Sequence, residues 1–119
     1  GENISEIMTT IDHKKLLGIM LSCVSPENYE KNLNEIKSLD VPFGFKLNGF
    51  ITTKPTAGYT NTFNKSKTGN PNEFLGHRED LVPEKMALFV KKFKEAGATI
   101  LGGCCETRPA HIKEMSKLK

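Results

Sequence analysis

Three short apolar runs punctuate this chain, and each is followed by a segment that reads as a helix. Leu16 to Leu21, Phe43 to Leu47 and Ala98 to Leu101 have the length of buried strands. Strand–helix alternation requires crossover connections, and these make neighbouring strands parallel. Ser25-Pro26-Glu27 is the first helix start, with serine at the cap, proline at the first helical position and an acid in the first turn. Tyr29, Leu33 and Ile36 mark one face of that helix, which ends near Asp40. Pro83-Glu84 opens a second helix. Its stripe of Met86, Phe89, Val90 and Phe93 is closed by Gly97. Thr107 is read as the cap of a last helix carrying Ile112, Met115 and Leu118. Ahead of all three units, Ile4, Ile7, Met8 and Ile11 have helical spacing, so residues 3–11 read as the tail of a helix. The expectation is an α/β fold of three strand–helix units on a parallel sheet, with Gly44 interrupting the middle strand.

The 119 residues suffice for one small domain. Three units are too few to close a (β/α)8 barrel, which takes about 250 residues. The net charge is +3, but the lysines are scattered and no basic run is interleaved with aromatics, which argues against nucleic acid as a partner. No apolar stretch approaches the ~20 residues that cross a bilayer, and no signal-peptide pattern opens the chain. An odd number of cysteines without an export signal fits the reducing cytoplasm. The chain begins Gly1-Glu2-Asn3 without methionine, which reads as a cut end.

Chemistry concentrates at Gly102-Gly103-Cys104-Cys105, just past the third apolar run. Adjacent cysteines are poor disulfide partners, because their Cα atoms lie about 3.8 Å apart and a disulfide wants roughly 4.4–6.8 Å. They can share one soft metal ion if the backbone turns there, and Gly102 and Gly103 are read as supplying that freedom. Cys23 also follows an apolar run. Three thiolates without a fourth cysteine point to a zinc site with one open position. Buried packing cysteines, or a redox pair at Cys104-Cys105, are the competing readings. His13 and His77 read as surface residues, and Arg78 and Arg108 as solvated side chains that could otherwise meet a carboxylate. Residues 48–82 form a long polar stretch of the kind that is usually functional or disordered.

Gly102-Gly103-Cys104-Cys105-Glu106-Thr107-Arg108-Pro109-Ala110-His111-Ile112 resembles the Gly-Gly-Cys-Cys-Gly-Thr-x-Pro-x-His-Ile signature of the zinc-dependent homocysteine S-methyltransferases. Cys23-Val24-Ser25-Pro26 resembles that family's Gly-Val-Asn-Cys-x-x-Pro motif, and Pro55-Thr56-Ala57-Gly58 its Pro-Asn-Ala-Gly loop. The departures are Leu21-Ser22 before the first cysteine, Thr56 for asparagine and Glu106 for glycine. The motifs keep the family's order and cover essentially the whole chain.

The resemblance implies that residues 1–119 are the carboxyl-terminal three βα units of a (β/α)8 TIM barrel, the first five units being absent. It implies Zn²⁺ as cofactor, with Cys23, Cys104 and Cys105 as ligands; Gly102 and Gly103, which free the backbone to turn, are read as letting substrate approach the backbone and so as substrate-binding positions. His111 takes a structural or supporting role. The implied reaction transfers a methyl group to the zinc-bound thiolate of homocysteine, forming methionine. Partners are then homocysteine, a methyl donor, and either the missing amino-terminal barrel segment or another copy of the chain, with no nucleic acid and no membrane. The isolated chain is expected to be inactive. Alternatives are a stand-alone zinc-binding remnant and a small zinc or thiol-redox protein.

Overall fold

A computed structural model describes residues 3–12, 15–52 and 75–118. His13 and Pro55-Thr56-Ala57-Gly58 lie outside them. The elements run α1 (Ile4–Met8), β1 (Ile19–Val24), α2 (Pro26–Lys37), β2 (Phe43–Leu47), α3 (Pro83–Glu95), β3 (Ile100–Gly103) and α4 (Pro109–Ser116). The three strands form one open parallel sheet in the order β1-β2-β3. All three therefore end on the same edge.

Alternation along β2 sets the layers. Phe43, Phe45 and Leu47 join the core with Tyr29 and Ile36 of α2, Met86, Val90 and Phe93 of α3, and Met115 of α4. Gly44 and Lys46 consequently point to the other face. Tyr29, Phe45 and Phe93 pack as an aromatic triangle, with centroid separations of 4.9, 4.8 and 5.5 Å. The helical stripes read from the sequence face this core, except that Ile7, Ile11 and Ile112 remain exposed.

Gly44 does not interrupt β2; the sheet needs it. A Cβ there would lie 1.9 Å from the Ile100 carbonyl oxygen, so any side chain would collide with the backbone of β3.

Several boundaries differ from the sequence reading. The first strand begins at Ile19 rather than Leu16, because pairing starts where the Ile19 N–H reaches the Pro42 carbonyl at 2.8 Å; Leu17 is left 94% exposed. The third strand is displaced in the same direction, to Ile100–Gly103. Thr107 is not the cap of α4. Arg108 occupies that position, and its N–H donates to Nδ1 of His111 at 3.0 Å. The Thr107 hydroxyl instead donates to the Cys104 carbonyl at 2.5 Å.

Candidate metal centre

Cys23 sits inside β1, not beyond it. Its φ of 54° is left-handed, and the β1–β2 register slips there, with Ser22 opposite Lys46 and Val24 opposite Leu47. This is a β-bulge, a device that redirects one side chain without ending the strand. Cys104 and Cys105 follow β3. The Cys104 N–H donates to the Leu47 carbonyl at 2.7 Å, and the Cys105 carbonyl accepts from Gly49 at 3.0 Å. The chain therefore turns across the end of β2, and Glu106, at φ 61°, makes the left-handed step.

The glycines act differently from the sequence reading. Gly102 and Gly103 belong to β3, and neither has positive φ. A Cβ on Gly103 would come within 2.3 Å of the Thr107 hydroxyl, so that glycine allows the following turn to fold back closely. At Gly102 the nearest atoms would be 3.5 Å away, an ordinary contact.

The result is convergence of the three sulfurs. Cys23, Cys104 and Cys105 place their Sγ atoms within 4.8 Å of one another, and the adjacent pair is separated by 4.0 Å. All three thiols are free and half-buried. Tetrahedral zinc with bonds of about 2.3 Å has sulfur–sulfur edges of about 3.8 Å, so this donor set fits zinc after small side-chain adjustment.

The electrostatics favour loss of one proton and resist loss of the next. Burial opposes ionisation of Cys104, but the Cys105 N–H, the Cys23 and Cys105 side chains and the Lys46 charge together draw its pKa below the ordinary value. Burial, reinforced by Cys23 and Cys104, pushes Cys105 up to about 11. A divalent cation relieves that conflict, because coordination favours the thiolate.

Asn48 carries no motif that marks it in the sequence. It is fully buried immediately after β2, and its side-chain NH₂ donates to the Cys23 carbonyl at 2.6 Å. The same nitrogen lies 3.7 Å from the Cys23 sulfur, while its oxygen accepts from the Phe50 N–H at 3.2 Å. Its one signal is positional: Asn48 follows the middle strand at the edge where Cys23, near the end of β1, and Cys104, just past β3, also lie.

The remaining polar residues have defined places. His111 is buried, and its Nε2 lies 2.9 Å from the Leu81 carbonyl, fastening α4 to the approach of α3. With Nδ1 accepting from Arg108, Nε2 carries the proton. His77 is exposed but not isolated, since its Nδ1 lies 3.1 Å from a Glu106 carboxylate oxygen. Arg78 is not a solvated arginine. Its guanidinium contacts both Glu27 oxygens at 2.8 Å and chelates Asp80 at 3.0 and 2.8 Å. The hydrogen bonds to Arg78 and Lys85 hold the Asp80 carboxyl well below the usual carboxylate range. Arg108 is exposed.

The homocysteine S-methyltransferase family model matches residues 1–118. Among curated proteins, the chain is 25% identical to homocysteine S-methyltransferase 2 of Arabidopsis thaliana, covering 98% of this chain and 31% of that protein. It is also 25% identical to homocysteine S-methyltransferase 1 of Zea mays, over 99% of this chain and 32% of the relative. Selenocysteine Se-methyltransferase of Brassica oleracea var. italica is 27% identical, over 98% and 30%. The chain thus spans about a third of the length of these relatives. No solved structure matches it at a significant level. With a family model covering nearly its whole length, the chain belongs to the homocysteine S-methyltransferase family.

Proposed function

We propose that this chain is the thiol-activating part of a homocysteine S-methyltransferase, formed by the last three βα units of a (β/α)8 barrel. One observation carries the reading: three cysteine sulfurs from two outer strands lie within 4.8 Å of one another at the carboxyl edge of a parallel sheet. That edge is where barrel enzymes build their sites.

Cys23, Cys104 and Cys105 would hold zinc. When bound, the ion supplies a lowered pKa for a coordinated thiol, which otherwise ionises near ~8.5. The chain's own residues prepare the site. The bulge at Cys23 aims one sulfur inward, Asn48 holds that residue by its carbonyl, and Thr107 secures the Cys104 carbonyl. In the complete reaction the acceptor sulfur gives up its proton and forms a bond to the methyl carbon, whose bond to the donor breaks. Aligning those two atoms is worth orders of magnitude in rate. The described residues provide one wall of such a pocket, so the 119-residue chain alone is expected to be catalytically silent.

The test begins with metal. The reduced chain should bind about one zinc per molecule, with sulfur scatterers at ~2.3 Å by X-ray absorption. Cys23→Ala, Cys104→Ala and Cys105→Ala should each weaken binding. Full metal retention in all three variants would overturn the ligand assignment. Co-expression with a segment supplying the first five units should then yield methionine from homocysteine and a suitable donor. Methionine formation by the 119-residue chain alone, abolished by Cys104→Ala, would refute its incompleteness.

A further inference from the structure

We propose that Lys46 binds the carboxylate of the thiol substrate and so makes the site selective for a thiol amino acid over a simple thiol. The inference rests on the proposed reading of the three-cysteine site as a thiol-binding centre.

The position follows from the sheet. Lys46 lies on the face opposite the helical core, and the register places Ser22 on one side of it and Gly102 on the other. Cys23 is the residue after Ser22, and Cys104 is two residues after Gly102. The lysine stem runs alongside Gly102, whose Cβ position lies 3.5 Å from Lys46 Cγ, an ordinary contact distance.

Lys46 also differs from the surface lysines. Lys15, Lys85, Lys91, Lys92 and Lys117 each meet a carboxylate, and the other described lysines, Lys31, Lys37, Lys94 and Lys113, are exposed to water that screens their charge. Lys46 is half-buried, and among the described residues no carboxylate pairs with it. A partly desolvated ammonium without a counter-ion is a ready anion site.

The substrate's own dimensions suit that site. In homocysteine the carboxyl carbon lies about 5 Å from the sulfur when the chain is extended, being four bonds of ~1.5 Å away. A sulfur at the cysteine cluster therefore keeps its carboxylate within range of a lysine on the same sheet face. The thiolates alone would repel an anionic substrate; a cation beside them reverses that selection.

The experiment uses the full chain loaded with cobalt(II), whose visible spectrum reports thiol coordination, titrated with homocysteine and with its decarboxylated analogue homocysteamine. Wild type should bind homocysteine about 10-fold or more tightly than homocysteamine, the range expected for a hydrogen bond to a charged group. Lys46→Met should abolish that preference by weakening homocysteine alone, and Lys46→Arg should retain it. Equal affinities in wild type, or an undiminished preference in a folded Lys46→Met, overturn the Lys46 assignment while leaving the thiol site intact. A Lys46→Met loss confined to betaine, offered as a carboxylate-bearing methyl donor, also overturns it. Absence of spectral change with either thiol overturns the thiol-binding reading and this inference together.

Discussion

The side-chain amide of Asn48 reaches from the end of the central strand to the carbonyl oxygen of Cys23, 2.6 Å away on the neighbouring strand. Cys23 is in a left-handed conformation that costs a non-glycine residue free energy, and this bond helps hold it there. Outer partners of metal ligands typically govern 10–100-fold of metal affinity. Asn48→Ala should weaken zinc binding by about that factor, read by competition with a chromophoric chelator. An unchanged affinity in a folded variant would show that the bulge holds its own shape.

Gly44 and Gly102 make a paired test of the sheet. Both lie on β2 or β3, but a Cβ at Gly44 would sit 1.9 Å from the Ile100 carbonyl oxygen, against 3.5 Å for the nearest atom at Gly102. Gly44→Ala should destroy cooperative unfolding or prevent soluble expression. Gly102→Ala should change stability by less than about 1 kcal/mol, as expected for an ordinary contact. Circular dichroism and denaturant titration of the two variants decide it; similar behaviour would contradict the β2–β3 register.

Tyr29 is fully buried between Phe45 and Phe93, and among the described residues its hydroxyl has no hydrogen-bond partner. Removing an unsatisfied buried hydroxyl relieves a desolvation cost of about 1–3 kcal/mol, so Tyr29→Phe should raise Tm. Burial lifts the phenol from 10.0 to about 12. The folded state thus keeps a proton that the unfolded state releases. That contribution to stability is complete below pH 10 and is lost as pH rises towards 12. Stability of Tyr29→Phe should decline less over this interval than that of wild type. Parallel alkaline unfolding curves would contradict the burial.

His111 joins two helices through Arg108 and Leu81. His111→Ala should cost about 1–3 kcal/mol by stranding the Leu81 carbonyl and the Arg108 N–H. Zinc stoichiometry at saturating metal should stay unchanged, because His111 is outside the cysteine cluster. Loss of one bound zinc per chain in a folded variant would instead make it a ligand.

How far the sequence disclosed these relationships depends on the kind of interaction. Met86, Val90 and Phe93 repeat at helical spacing, and burial follows directly from that period. The strand starts were harder, because the apolar run at Leu16 begins before the partner strand is there to pair with it. Cys104 and Cys105 advertise themselves by adjacency, and Cys23 by following an apolar run. The bulge that turns Cys23 inward leaves no local mark, since left-handed backbone at cysteine is imposed by neighbours. Asn48 was hidden for a related reason. An asparagine after a strand looks like the beginning of a loop, and only the lateral order of the three strands brings it beside Cys23.

The bulged first strand and the turn after the third lie on opposite flanks of the sheet, with β2 between them. A metal held by Cys23 and Cys104 would therefore act as a cross-link, closing a loop of about 80 residues. In the chain-entropy treatment of cross-links, a loop of that length removes about 4.5 kcal/mol of disorder from the unfolded ensemble. The central strand would then be trapped between two flanks that cannot separate while the metal remains. On this view the cysteines are a folding element as well as a chemical one, and a chelator should loosen the outer strands before it exposes the aromatic triangle beneath them.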